Sequence, residues 1–165
     1  MPATLRRQRA FALTIAVLTA LALVLLLSIT VAPSAGGATK RAGKIANALV
    51  VARNQKGDPY RFGANGPHRF DCSGLTQFSY GRADLYLPRT SDAQARYTRR
   101  IKKRNMRKGD LMFFHNGGNV YHVGVFAGWN GHGRRVVLHA PSTGRRVHPQ
   151  TVWTRRWFAG TLRRR

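Results

Sequence analysis

The stretch Phe70-Asp71-Cys72-Ser73-Gly74-Leu75 contains the one cysteine of this 165-residue chain. Apolar residues recur after it at three- and four-residue spacing and Gly81 is a natural stop, which predicts a helix over residues 72–80. The unpaired N–H groups at the start of a helix stabilise an anion, so we expect a lowered pKa for the Cys72 thiol. Cys72 is either a nucleophile or an inert buried cysteine, and its position alone favours neither.

The N-terminal residues predict export. Residues 1–10 form a basic region with Arg6, Arg7 and Arg9, and residues 11–32 contain no charged side chain. As a helix, the apolar residues would reach about 33 Å, so they are either a signal peptide or an uncleaved membrane anchor. The arginines would hold the N-terminus in the cytoplasm and leave the remaining chain outside, in the cell wall or medium or anchored to the membrane. Exported proteins usually pair their cysteines, so a lone Cys72 needs another reason to be present.

The first half of the remaining chain has helical patterns separated by loops. Residues 33–43 are small, polar and basic and are predicted to be a linker. Residues 45–51 have an apolar helical stripe and predict a short helix that ends near Gly57. A further helix is predicted over residues 92–97, with Ser91 as its cap.

The second half changes to the pattern of short strands. Residues 110–114, 120–127 and 135–140 are rich in strand-forming residues and are separated by Gly-Asn turns, which predicts an antiparallel sheet. Residues 152–158 are expected to form a last strand or a packing segment at the edge. Helices followed by strands predict the α+β class, with N-terminal helices packed on the sheet. Residues 161–165 are predicted to be a basic tail, disordered from residue 163 onward.

Two histidines are placed to act with Cys72. His122 lies on a predicted strand with Gly124 on the same face, and the glycine would leave space for a substrate beside the imidazole. His139 lies on the neighbouring predicted strand and could fix the tautomer of His122. Either histidine alone is more often an ordinary satisfied residue. Together with Cys72, the two follow the chain order of a cysteine hydrolase.

The same histidines do not favour a metal site. His115, His122, His132 and His139 contain no His-x-x-x-His pair, and the chain has no glutamate. We therefore predict neither a metal nor another cofactor.

Several motifs, in order and spacing, resemble those of the NlpC family of cell-wall endopeptidases. They are Asp58-Pro59-Tyr60-Arg61-Phe62-Gly63, Phe70-Asp71-Cys72-Ser73-Gly74-Leu75, Leu87-Pro88-Arg89-Thr90-Ser91, Gly109-Asp110-Leu111, His122-Val123-Gly124-Val125 and His139-Ala140-Pro141. The resemblance covers roughly residues 45–150 and implies a papain-like cysteine peptidase domain over residues 44–160. It also implies hydrolysis of peptidoglycan stem peptides, often between γ-D-glutamate and a diamino acid.

The resemblance assigns catalytic roles to matching positions. It implies that Cys72 is the nucleophile, that His122 is the general base and that His139 orients His122. Tyr60 matches the family's tyrosine beside the thiolate, which helps to form the oxyanion site.

The resemblance also suggests residues that bind the substrate. Asp71 and Ser73 resemble the residues that hold the amino group of the peptide, although Asp71 could instead cap the helix. Arg89 would bind a substrate carboxylate or stabilise its own turn. The family usually has Trp at the position of Phe62 and often Gly at that of Ala64, so the substrate specificity is left open.

The charge of the chain predicts anionic partners. The net charge is +24, from 29 Lys and Arg against five Asp. Such a surface attracts polyanions, and for an exported protein we expect anionic wall polymers or lipid headgroups more than nucleic acid. Compositional bias toward arginine explains the charge equally well. A non-catalytic protein that binds the wall or a polyanion is the competing hypothesis to a hydrolase.

Overall fold

An antiparallel sheet forms the centre of the molecule. The computed structural model describes residues 35–163, and within them six strands follow the order β1-β6-β2-β3-β4-β5. The strands are β1 Arg99–Ile101, β2 Leu111–His115, β3 Val120–Trp129, β4 Arg135–His139, β5 His148–Thr151 and β6 Trp157–Thr161. The helices are α1 Ala35–Asn54, α2 Cys72–Gly81 and α3 Ser91–Tyr97, with a 3₁₀ turn at Lys103–Asn105.

Both faces of the central strands are buried. Leu111 and Phe113 of β2 pack against the helices, whereas the intervening Met112 and Phe114 belong to a second apolar cluster on the other face. This alternation explains why residues 111–114 read as a continuous apolar run. The predicted α+β fold, with N-terminal helices on an antiparallel sheet, is confirmed.

The first helix is longer than the sequence predicts. Helix α1 begins at Ala35, so the predicted linker over residues 33–43 is wrong for residues 35–43. Arg41 donates from its Nε to the carbonyl oxygen of Leu162, and Lys44 pairs with Asp84 at 3.5 Å. These contacts stabilise a turn that glycine-rich composition alone would not hold in a helix.

The cap of helix α3 also differs from the prediction. Thr90, not Ser91, is the N-cap, and its hydroxyl accepts a hydrogen bond from the N–H of Ala93. Ser91 instead donates from its Oγ to the carbonyl oxygen of Val120. This bond joins the start of α3 to the start of β3.

Residues 161–163 are more ordered than predicted. The last strand occupies Trp157–Thr161, so only part of residues 152–158 is strand, and Thr161 does not belong to a tail. Arg163 forms a largely buried ion pair with Asp110 at 2.7 Å, so its predicted disorder is wrong. Residues 164–165 lie outside the described part of the chain.

The predicted signal peptide or anchor, residues 11–32, also lies outside the described residues. Between residues 35 and 163, no helix is long and apolar enough to cross a membrane.

Candidate active site

Cys72 is the first residue of helix α2. Asp71 caps this helix, because its Oδ1 accepts a hydrogen bond of 2.7 Å from the N–H of Gly74. A Cβ on Gly74 would lie 2.1 Å from the carbonyl oxygen of Ala64. Only glycine therefore lets the first turn of α2 pack against the preceding loop, which fixes the position of Cys72.

The surroundings of the Cys72 thiol have opposing effects on its pKa. Burial raises the pKa and dominates, whereas the N–H groups of Val123, Ser73 and Cys72 itself favour the thiolate. The net direction is upward, opposite to the lowering that the helix start predicts. The helix start is therefore not sufficient to ionise the thiol.

A chain of hydrogen bonds crosses three neighbouring strands beside Cys72. The Nε2 atom of His122 on β3 lies 2.7 Å from Nδ1 of His139 on β4. The Nε2 atom of His139 lies 2.9 Å from Oε1 of Gln150 on β5. The predicted proximity of His122 and His139 is therefore found, and Gln150 extends the pair.

Both histidines are buried, and burial lowers their pKa values because it disfavours the charged imidazolium. The pKa of His122 falls to about 4. That of His139 falls to about 3, with further lowering by the positive forms of His122 and His148. Both rings are neutral at neutral pH.

Gly124 has a different role from the predicted one of leaving space for a substrate. A Cβ at this position would lie 2.4 Å from Cγ2 of Val137 and 3.0 Å from Cβ of His139. The space beside His122 is therefore filled by strand β4, and the predicted opening for a substrate at Gly124 is wrong. The glycine instead lets His139 approach.

A cavity of about 220 Å³ brings the site together. It is lined by Tyr60, Cys72, Tyr121, His122, His139, Pro141, Gln150 and Trp153. Trp153 stacks on Phe114 at 4.5 Å between ring centroids and on His139 at 5.4 Å, so it forms a wall over the histidines.

Sequence reasoning missed four of these lining residues, Tyr121, Pro141, Gln150 and Trp153. Tyr121 directly precedes the motif that begins at His122, Pro141 ends the motif that begins at His139, and the apolar segment 152–158 is a signal for Trp153. Gln150 carried no local signal.

Asp71, Ser73 and Arg89 form a separate network that does not line the cavity. Arg89 donates from Nη1 to Asp71 Oδ1 at 3.0 Å and to Ser73 Oγ at 2.9 Å, and from Nη2 to Asp71 Oδ2. Gly63 also donates its N–H to Asp71 Oδ2 at 2.9 Å. Burial alone would raise the pKa of Asp71, but the hydrogen bonds from Arg89 and Gly74 hold it below its ordinary value. Asp71 therefore caps helix α2, and Arg89 holds it as an ion pair.

A metal ion has no evident site in the part of the chain described, since no group of three or more His, Cys, Asp or Glu residues there is arranged to hold one.

A cysteine at a helix start that lines one cavity with a histidine pair of an antiparallel sheet is typical of the papain-like α+β class. The chain belongs to the NlpC/P60 family, whose model matches residues 57–164.

Curated relatives of the chain are named as endopeptidases. A probable endopeptidase of Corynebacterium glutamicum (strain R) is 39% identical over 110 residues, which are 66% of this chain and 49% of that protein. The bifunctional muramidase/DL-endopeptidase CwlT of Bacillus subtilis (strain 168) is 40% identical over 84 residues, 48% of this chain and 26% of that protein. The chain thus matches about half of the first relative and about a quarter of the second.

Solved structures share the fold. The P60 domain of an antigen from M. avium subspecies paratuberculosis gives a TM-score of 0.64 at 27% identity, over 74% of this chain and 97% of that one. RipD of Mycobacterium tuberculosis, described as a non-catalytic NlpC/p60 domain protein, gives a TM-score of 0.60 at 24% identity, over 72% and 97%. The likeness to RipD concerns the fold alone.

Proposed function

We propose that this chain is a cysteine endopeptidase that hydrolyses stem peptides of peptidoglycan between γ-D-glutamate and the diamino acid. The observation that carries the proposal is the cavity that Cys72 shares with the hydrogen-bonded pair His122 and His139. Family membership and the names of the relatives support peptide hydrolysis, and the muramidase/DL-endopeptidase supports a peptidoglycan substrate.

The hydrogen-bond chain selects the tautomer of the base. Oε1 of Gln150 is only an acceptor, so His139 donates its Nε2–H and keeps Nδ1 unprotonated. His122 then donates its Nε2–H to that nitrogen, which leaves its own Nδ1 lone pair for the thiol of Cys72. Gln150 acts here as a positioning residue.

Acyl transfer proceeds in two steps. The sulfur of Cys72 attacks the scissile carbonyl while its proton passes to His122, because burial keeps both groups neutral beforehand. The C–N bond then breaks, the leaving amine takes the proton from His122, and a thioester remains on Cys72. Water gives a proton to His122 as it attacks the thioester, and that proton returns to the sulfur as the C–S bond breaks. Such positioned proton transfer typically accelerates the reaction by about 10²–10⁴-fold.

Two hydrogen-bond donors would stabilise the oxyanion. The N–H of Cys72 lies at the start of helix α2, and Tyr60 lines the same cavity as Cys72. Burial raises the pKa of Tyr60, and the nearby Cys72 and Asp71 raise it further, so the phenol stays protonated and able to donate.

The Asp71 network would bind the amino group of the stem peptide. Asp71 and Ser73 supply oxygen acceptors, and we assign Arg89 the structural role of holding them, since its guanidinium is already bonded to both.

We further propose that the protein is exported, as residues 11–32 suggest, and that this segment holds it at the membrane if it is not cleaved. The catalytic domain would then lie outside the cytoplasm, where peptidoglycan is found, and nucleic acid would not be a physiological partner.

Digestion of purified peptidoglycan tests the proposed reaction. We expect the full chain to release stem-peptide fragments whose masses, read by mass spectrometry from defined muropeptides, identify a cut after γ-D-glutamate. Cys72→Ala and His122→Ala should abolish release, because each removes a group that forms or breaks a bond. His132→Ala is the matched control and should keep the parent rate, since His132 is exposed in a turn outside the cavity.

Release by Cys72→Ala at the parent rate would refute the mechanism. Binding of peptidoglycan by the parent chain without any fragment release would instead establish the non-catalytic alternative.

A further inference from the structure

A second cavity, of about 960 Å³, lies at the edge of the sheet that is opposite to the histidines. Its walls come from strand β1, the 3₁₀ turn that follows, helix α1 and the end of the chain. Six of its lining side chains are basic: Arg99, Arg100, Lys102, Arg104, Arg107 and Arg163. We refer to this cavity as the basic groove.

The charges of the basic groove are not neutralised by the protein. Arg163 pairs with Asp110, but Arg99, Arg100, Lys102, Arg104 and Arg107 are exposed and form no ion pair with any carboxylate of residues 35–163. The chain has only five Asp and no Glu. Four of the five aspartates pair with other basic residues: Asp71, Asp84, Asp92 and Asp110. Five cations thus border one concave surface without a counter-ion from residues 35–163.

The lining of the basic groove indicates which kind of polyanion fits it. The guanidinium group of arginine can donate two parallel hydrogen bonds to phosphate oxygens, and a concave row of cations can bind a flexible polyanion. None of the residues that line this cavity is aromatic, so the groove offers no platform on which bases could stack. The neighbouring rings of Phe158 and Trp157 are already covered by Arg100 and Lys103.

We propose that the basic groove binds a linear phosphodiester polymer of a polyol, an anionic polymer without bases. The phosphates would take the place of the missing carboxylates beside Arg99, Lys102 and Arg104. Repeated phosphates at regular spacing would contact several of the cations at once, which a single free phosphate cannot do.

The basic groove is separate from the candidate active site. β1 lies three strand spacings from β3, which carries His122, and this corresponds to about 14 Å across the sheet. A polymer in the basic groove therefore leaves the Cys72 cavity open. It would hold the enzyme on a phosphate-rich surface while the cleft stays free for a peptide.

Protection of a sheet edge explains part of this charge but not all of it. Charged side chains on an edge strand prevent pairing with another molecule, and Arg99 and Arg100 lie on the edge strand β1. Lys102, Arg104 and Arg107 lie beyond that strand, where no strand edge needs protection. Edge protection also predicts no loss of polymer binding when those residues are changed.

Binding to a poly(glycerol phosphate) oligomer of defined length tests the proposal. The groove variant of the full chain is Arg99→Gln, Lys102→Gln, Arg104→Gln. The control variant is Lys56→Gln, Arg69→Gln, Arg134→Gln, which removes the same charge from three exposed side chains outside the basic groove. Affinity is measured by titration at several salt concentrations, and circular dichroism checks the fold. If the triple groove variant does not fold, Arg104→Gln alone is compared with Arg134→Gln.

The groove variant should bind the oligomer at least ~10-fold more weakly than the parent, because contact charges contribute most of such affinity. The slope of log K against log salt should fall by about two to three for the triple variant, or by about one for Arg104→Gln. The affinity of the control variant for the oligomer should fall by less than about 3-fold. Hydrolysis of a short soluble stem peptide should be unchanged in both variants, which separates this test from that of the proposed peptidase.

Three results would overturn the proposal. Equal losses in the groove and control variants would mean that only net charge matters. Tighter binding of an oligothymidylate with the same number of phosphates would indicate a nucleic-acid surface. A groove variant that binds phosphatidylglycerol vesicles more weakly but the soluble oligomer as well as the parent would indicate a lipid surface.

Discussion

Gln150 illustrates how one amide can set the protonation of a base that it does not touch. Its Oε1 accepts from His139, whose other ring nitrogen contacts His122. We expect Gln150→Leu to lower kcat by about 10- to 100-fold with little change in KM, because the tautomer of His122 is no longer selected. Steady-state kinetics on a soluble stem peptide measures both constants.

Gln55→Leu is the matched control for Gln150→Leu, since the side chain of Gln55 donates to the carbonyl oxygen of Val51 in helix α1 and does not line the Cys72 cavity. The control should keep the parent kcat. A Gln150→Leu variant that keeps the parent kcat, even if its KM is higher, would show that Gln150 does not position the histidines.

The buried thiol and imidazole predict an unusual pH dependence. Protonation of His122, whose pKa is about 4, removes the base, so kcat/KM should rise with pH through about 4. Burial places the pKa of Cys72 above its ordinary value of 9.0, so no decline is expected below that pH. A profile of kcat/KM from about pH 3.5 to about 10 measures both limits. A midpoint near 6.5, the ordinary value for histidine, would contradict the desolvated base.

The site residues that the sequence predicts have local structural signals, whereas Gln150, which it does not predict, depends on a tertiary contact. Cys72 and His122 lie next to local signals, a helix start and a strand, and the family motifs include them. Gln150 reaches the site only because β5 pairs with β4, which places His148 opposite His139 and Gln150 opposite Val137. This pairing is a tertiary contact, and the sequence around Gln150 contains no mark of it.

At the scale of elements, helix α1 shows where local composition is insufficient. Its second half has buried Ile45, Ala48, Leu49 and Ala52 at helical spacing, and that part was predicted. Its first half contains Gly36, Gly37 and Gly43, which individually disfavour a helix. Helix formation is cooperative, so the stable second half and the bond from Arg41 to Leu162 extend the helix through the glycines.

Gly124 controls how closely strands β3 and β4 approach. Gly124→Ala would place a Cβ 2.4 Å from Cγ2 of Val137 and 2.9 Å from the carbonyl oxygen of Leu138, so the strands must shift. We expect a loss of about 1–3 kcal/mol in the free energy of unfolding, as for other overpacked cores. Activity should also fall, because His139 follows Leu138 and would move with it. Urea unfolding and peptide hydrolysis measure the two effects.

Gly131→Ala provides the comparison for Gly124→Ala. Nothing lies within 4 Å of a Cβ at Gly131, which is exposed in the turn between β3 and β4. Its stability and activity should stay close to those of the parent. Equal stability of the two alanine variants would mean that the close approach at Gly124 is not needed.

At the scale of the whole molecule, the order of helices and strands was sufficient for the fold class but not for the topology. The last strand, β6, pairs with both β1 and β2 and so lies between two elements that are close in sequence. β1 is only three residues long and highly charged, and it gives no strand signal by itself. It is a strand because β6 supplies its hydrogen-bond partner, a long-range contact that no local pattern contains.

The two buried histidines should make the stability of the whole domain depend on pH. In the unfolded chain they titrate near the ordinary value of 6.5, whereas in the fold their pKa values are about 4 for His122 and about 3 for His139. Between these values the unfolded chain binds more protons, so the free energy of unfolding falls as pH falls below 6.5 and is independent of this pair above it.

His139→Gln removes one of the two groups and should reduce the slope of the free energy of unfolding against pH by up to about 1.4 kcal/mol per pH unit between about pH 6 and about pH 4.5. The substitution also lowers stability at every pH. Gly131→Ala, at an exposed turn, removes no histidine and should keep the parent slope. Urea unfolding across this range measures the three slopes, and an unchanged slope in His139→Gln would mean that the histidine pair is not held neutral by burial.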